Sequence, residues 1–174
     1  MRHDTVTEPL KEIIDSIRSD LVRIALDVAT QKVPTKKNSE VLYKATPQDG
    51  FDCSGFVTWS LQQAFRAHHM AFDPDEFAHT NDFADKFGVL VQWEARKPGD
   101  IILFSYNGYR PSHVGIIVSP TEYVHASPSK HEIVIKSPYK QATIVPKAGY
   151  EQIYFRNPIA IKRLGIKVND WMLV

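Results

Sequence analysis

At Lys97-Pro98-Gly99-Asp100 the hydrophobic period of this chain changes, and that change limits the folds open to it. Upstream, Leu10, Ile13, Ile14, Ile17, Leu21, Ile24, Ala25 and Val28 recur at three-and-four spacing, the pattern of a helix with one buried stripe. It predicts a helix over residues 8 to 30 or 31, with Pro9 tolerated near its start and Val33-Pro34 ending it. Phe56, Val57, Leu61, Ala64 and Phe65 predict a second helix over 53 to 68, and a shorter one over about 75 to 87 would end at Gly88. The polar stretch 35 to 50, with its Asp49-Gly50 turn signal, reads as a loop. Downstream the apolar runs are short and β-branched or aromatic: 101 to 104, 114 to 118, 123 to 126, 133 to 135 and 152 to 155, bounded by Pro, Ser or Gly. Helices first and strands second predict an α+β domain, with helices packed on a central antiparallel sheet of about five strands.

A chain of 174 residues suits a single domain, 1 to 174. The expected division is an N-terminal helix at 8 to 31, a core at 40 to 156, and a C-terminal extension at 157 to 174. The extension keeps apolar residues (Ile159, Ile161, Leu164, Ile166, Trp171), so it is expected to pack on the core. A formal net charge of +1 gives no electrostatic case for nucleic acid or an anionic membrane. No apolar run approaches the roughly 18 residues of a membrane span. The polar opening MRHDTVTEPLKE has no signal-peptide pattern, so the expectation is a cytoplasmic protein or one exported by a signal-independent route. Oligomeric state is not legible.

The chain has one cysteine, so an internal disulfide is excluded, as is a zinc site built on several thiolates. Cys53 stands in GFDCSGFV, where the loop becomes the second helix. The first turn of a helix offers unpaired N–H groups and the positive end of the macrodipole. Both favour thiolate over thiol, and the same N–H groups can hold an oxyanion. Asp52 and Ser54 flank the cysteine as natural capping residues.

A nucleophile needs a base, and the chain has seven histidines. His3 is in a polar terminus. His68 and His69 fall at the far end of the cysteine helix, roughly 22 Å from Cys53. His79 is in a polar stretch, and His131 is expected in solvent. His113 opens one predicted strand (RPSHVGIIV) and His125 closes the next (EYVHAS), with Ser119-Pro120 as the turn between them. Antiparallel pairing would make these two neighbours at one edge of the sheet, as a base and its orienting group require. The competing use of Cys53, His113 and His125 is as three ligands of a zinc ion.

FDCSGFV, PGDIILF, SHVGIIV and VHAS, in that order, resemble the NlpC-type cell-wall cysteine peptidases of the papain-like superfamily. The resemblance covers about residues 40 to 155. It implies a papain-like fold and a cysteine endopeptidase that cuts peptidoglycan stem peptides at the γ-D-glutamyl–diamino acid amide bond. Cys53 would be the nucleophile, His113 the base and His125 the orienting residue. Asp52, Ser54, Arg110 and Ser112 would contribute to the substrate pocket, and Tyr43 would border the oxyanion site. No cofactor or metal is implied. An amidase or transacylase of the same fold and a non-catalytic binding module remain as alternatives. The chain shows no accessory wall-binding module, which leaves its route to the cell wall open.

Overall fold

The computed structural model describes residues 4–37, 44–105, 110–141, 158–168 and 170–174, with the backbone alone for 4–8. Three helices come first: α1 (Asp4–Thr30), α2 (Cys53–Arg66) and α3 (Thr80–Lys86). Eight strands follow: β1 (Val89–Val91), β2 (Ile101–Phe104), β3 (His113–Ile117), β4 (Glu122–His125), β5 (Ile135–Pro138), β6 (Pro158–Arg163), β7 (Ile166–Val168) and β8 (Trp171–Leu173). Six of them form one antiparallel sheet in the order β1-β6-β2-β3-β4-β5, and β7 and β8 form a separate hairpin.

The central strands are buried on both faces. This is why they read as continuous apolar runs instead of alternating ones. One face, carrying Ile101, Leu103, Val114, Ile116, Val124 and Ala126, packs with Ile17, Leu21 and Val28 of α1 and Phe56, Val57 and Leu61 of α2. The opposite face carries a smaller cluster of Ile102, Phe104, Ile117, Tyr123, Tyr139 and Ile161.

The Pro-Gly-Asp turn is a structural joint. Asp100 is fully buried, and a buried carboxylate must be paired. Arg163 of β6 grips it with two bonds, Nε to Oδ1 and Nη2 to Oδ2, both 2.9 Å. The Lys97 N–H donates to Oδ2 at 2.8 Å. Arg18 of α1 lies 3.5 Å from Oδ1. One carboxylate thus ties the first helix, the turn into β2 and the C-terminal strand.

Several boundaries differ from the sequence expectation. Helix α1 begins at Asp4, with Pro9 inside it. The helix expected over 75 to 87 is two pieces, a 3-10 turn at Pro74–Phe77 and α3. Each piece has its own start: Asp73 caps the first by accepting from the Asp75 N–H at 2.9 Å, and the Asp82 side chain bonds the His79 N–H at 2.9 Å at the second. The C-terminal segment does more than pack on the core, because β6 lies inside the sheet between β1 and β2. The strand expected at 152 to 155 lies outside the described residues.

Candidate active site

The segment that leads into Cys53 is pinned before the helix begins. Gly50 has φ +84, a conformation that costs glycine little. It delivers Phe51 to a parallel bridge with Thr35. The Phe51 N–H donates to Pro34 O at 3.0 Å, and the Lys36 N–H donates to Phe51 O at 2.9 Å. Asp52 then takes an extended backbone and caps α2, its Oδ1 accepting from the Gly55 N–H at 2.7 Å. The Ser54 hydroxyl bonds the same carboxylate. Burial holds the Asp52 carboxyl above the usual carboxylate range against these bonds. Asp52 and Ser54 are therefore both engaged in the cap.

Capping by Asp52 makes Cys53 the first residue of α2. Its sulfur is 3.6 Å from the Thr80 hydroxyl and meets the backbone N–H groups of Ser54 and Val114. Thr80 opens α3, so the starts of two helices converge on the sulfur. Val114 directly follows His113, which places the sulfur at the first residues of β3. The expected drop in thiol pKa does not hold in the free protein: burial pushes the Cys53 thiol up. The Asp52 carboxylate pushes in the same direction, while the Thr80 hydroxyl and the two N–H groups oppose it without overcoming it.

His113 and His125 meet as the hairpin predicts. Ile116 pairs with Val124 and Ile117 with Tyr123, which brings the start of β3 beside the end of β4. His113 Nε2 and His125 Nδ1 are 2.8 Å apart, and both residues are almost fully buried. Burial pushes the His113 pKa well below its ordinary value, and His125 and His131 push it further. Burial, followed by His131, pushes His125 down to about 3. The upward push on the cysteine and the downward push on the histidine both favour the neutral forms of these groups.

The surroundings of His125 were not readable from motif spacing. The Tyr123 ring stacks on it at 4.4 Å and 20°. His131, expected in solvent, is half-buried and edge-on to His125 at 5.4 Å. The Thr35 hydroxyl holds His131 by donating to its carbonyl at 2.6 Å. Ser137 Oγ lies 2.9 Å from His125 Nε2. Gly115 explains the glycine of His-Val-Gly: a Cβ there would come 2.5 Å from Tyr123 Cδ2 and 2.8 Å from Val124 O. The missing side chain is the space that Tyr123 needs to lie against His125. Thr80 also went unread, since nothing in HTNDF marks it as a neighbour of the cysteine.

The other expected site residues are less central. Arg110 is exposed and Ser112 half-buried, just before β3. The Ser112 N–H donates to Phe104 O at 2.8 Å. Tyr43 lies outside the described residues. His68, at the far end of α2, bonds Asp20 of α1 at 2.8 Å. Among the described residues no group of three or more His, Cys, Asp and Glu is arranged to hold a metal ion. No described helix is long and apolar enough to cross a membrane.

An α+β scaffold with a cysteine at a helix N-terminus, and two paired histidines on adjoining antiparallel strands, is of the papain-like kind. The chain belongs to the NlpC/P60 family, whose model matches residues 40–145. It is similar to a gamma-DL-glutamyl hydrolase of Bacillus subtilis, 27% identical over 192 residues, a match that takes in 84% of this chain and 44% of that protein. This chain thus spans less than half the length of that relative. Among solved structures it resembles an NLP/P60-family protein of Staphylococcus aureus described as similar to lipoprotein (21% identity, TM-score 0.54, 83% of this chain and 41% of that one). It also resembles the peptidoglycan hydrolase RipB of Mycobacterium tuberculosis (21% identity, TM-score 0.52, 87% and 67%). At such identities these structures speak for the fold.

Proposed function

We propose that this protein is a cysteine endopeptidase that hydrolyses γ-D-glutamyl–diamino acid amide bonds in peptidoglycan stem peptides. The observation that carries the reading is the 2.8 Å contact of His113 with His125 beside a cysteine at the first position of α2. The relationship to a gamma-DL-glutamyl hydrolase favours a γ-glutamyl amide as the bond attacked.

In this mechanism His113 takes the Cys53 proton as the sulfur attacks the amide carbon. The thiol is unfavourable to ionise in the free protein, so the proton transfer and the attack proceed together. The Cys53 N–H at the start of α2 stabilises the oxyanion. The intermediate collapses, the C–N bond breaks, and His113 gives its proton to the leaving amine. Water then adds to the thioester with His113 again as base. The carboxylate product leaves and the thiol is restored. His125, held neutral by burial, accepts the hydrogen bond of His113 and keeps its ring aligned. Arg110 and Ser112, which precede β3, would meet a substrate carboxylate in this reading. No cofactor is called for.

Purified tripeptide and tetrapeptide muropeptides, of diaminopimelate and lysine types, test the reading. Digestion is followed by mass spectrometry beside a Cys53→Ala variant, with a γ-linked glutamate polymer as a further substrate. Release of L-Ala-γ-D-Glu fragments by the wild type alone supports the proposal. Cleavage of the polymer with the muropeptides intact would transfer the activity to another γ-glutamyl substrate.

A further inference from the structure

The hydrogen-bond chain that begins at His113 does not stop at His125. On β5, Ser137 pairs with Tyr123, and its hydroxyl reaches diagonally to His125 Nε2 at 2.9 Å. His125 Nδ1 meets His113 Nε2 at 2.8 Å. His113 meets His125 through Nε2, so in the proposed chemistry it would act on the thiol through Nδ1.

Such a chain of imidazoles has a direction. For His113 to act as base, Nδ1 must carry no hydrogen, so its hydrogen sits on Nε2 and is donated to His125 Nδ1. His125 must then carry its own hydrogen on Nε2 and donate it to Ser137. In the reverse direction Ser137 donates to His125 Nε2, His125 donates to His113 Nε2, and His113 Nδ1 is already protonated. That second state has the same heavy-atom geometry and cannot accept a proton from Cys53. What sits at His125 Nε2 therefore decides whether a well-placed triad is a working one.

We propose that Ser137 is a positioning residue for catalysis: as acceptor from His125 Nε2–H it selects the tautomer in which His113 can act as base. The half-exposed position of Ser137 lets its own hydrogen turn to water, which leaves the oxygen lone pair for His125. The stacked Tyr123 ring fixes the plane of His125 but is indifferent to which nitrogen is protonated. The selection thus falls to the atom in the plane of the ring. Burial supports this by keeping His125 neutral, so the ring holds a single hydrogen and a choice between tautomers exists. The inference rests on the proposed Cys53–His113–His125 chemistry, and it is independent of which amide is cut.

The test compares Ser137→Ala, Ser137→Thr, His125→Ala and the Ser137→Ala/His125→Ala pair. The readouts are kcat and KM on the best γ-glutamyl substrate and the rate of Cys53 alkylation by iodoacetamide at neutral pH. Nitrogen-15 NMR of the histidine rings reports the tautomers. Loss of one hydrogen bond predicts a fall of about threefold to tenfold in kcat for Ser137→Ala, with KM unchanged. Ser137→Thr restores the rate, and the His125 ring of Ser137→Ala shifts toward the Nδ1–H form. The double variant is no slower than His125→Ala alone, because Ser137 acts only through His125. An unchanged kcat in Ser137→Ala, an unchanged tautomer, or a double variant that loses the product of both effects would overturn the proposal. If no muropeptide is cut even by the wild type, alkylation and NMR still decide the matter, so failure of the substrate assignment is distinguishable from failure of this one.

Discussion

Acidification should unfold this protein through its own candidate active site. His125 is held neutral down to about pH 3, whereas in the unfolded chain it titrates near the ordinary value of 6.5. A histidine whose folded pKa is depressed lowers stability as pH falls, because below pH 6.5 the unfolded chain binds a proton that the native site refuses. Each pH unit between 6.5 and 3 costs about 1.4 kcal/mol per such group. Between pH 7 and pH 5 the loss is about 2 kcal/mol for His125 alone. His113 is shifted in the same direction and adds to this loss, against a typical total stability of roughly 5–15 kcal/mol. With a urea slope of about 1–3 kcal/mol per molar, the unfolding midpoint drops by on the order of 1 M for one histidine. The assay is urea unfolding by tryptophan fluorescence at pH 7 and pH 5, on the wild type and on His125→Asn. Other groups titrate in this window too, so the meaningful quantity is the difference between the two proteins. Equal losses for both would refute the reasoning, since the buried neutral imidazole would then not be where acid acts.

Gly115→Ala should destabilise by about 1–3 kcal/mol through overpacking, seen as a lower melting temperature. It should also cut kcat, because Tyr123 can no longer lie on His125. Asp52→Ala removes the cap of α2 and should cost about 1 kcal/mol in urea unfolding. It also removes a carboxylate that raises the Cys53 thiol, so the pH midpoint of iodoacetamide alkylation should move down. Thr80→Val removes a hydroxyl that favours the thiolate, and the same midpoint should move up.

The two long helices and the strands β2, β3 and β4 were legible to within a few residues because each buries a regular face. The apolar stripe of α1, from Ile14 to Val28, is the one that packs on the sheet. Strands β1, β6, β7 and β8 went unread for a physical reason. Val89–Val91 is only three residues long, too short for a period to show. Pro158–Arg163 begins with a proline and carries Lys162 and Arg163, so its composition argues against an interior strand. Its place in the sheet comes from partners far off in the chain: Arg163 closes on Asp100, and the Lys162 ammonium reaches Ala84 O at 3.0 Å. Such tertiary pairings leave no local trace.

Legibility in the site follows the same division. Cys53 could be found because a loop-to-helix step is a local event, and the meeting of His113 with His125 because a hairpin makes strand ends adjacent. Thr80, Ser137 and His131 share a different origin. Each is brought in by a segment that does not belong to the cysteine helix or the histidine hairpin: the start of α3, the edge strand β5, and the loop that Thr35 ties down. These segments decide properties that the motifs leave open. Through its hydroxyl Thr80 opposes the burial of the thiol, and His131 adds to the depression of both imidazoles. The motif therefore predicts which atoms can react, while burial, with these outside side chains added to it, shifts the pKa values under which they react. A cysteine at a helix start was expected to be acidic. Here burial pushes the thiol the other way, so a Cys-Ser-Gly motif alone does not set the pKa of its cysteine.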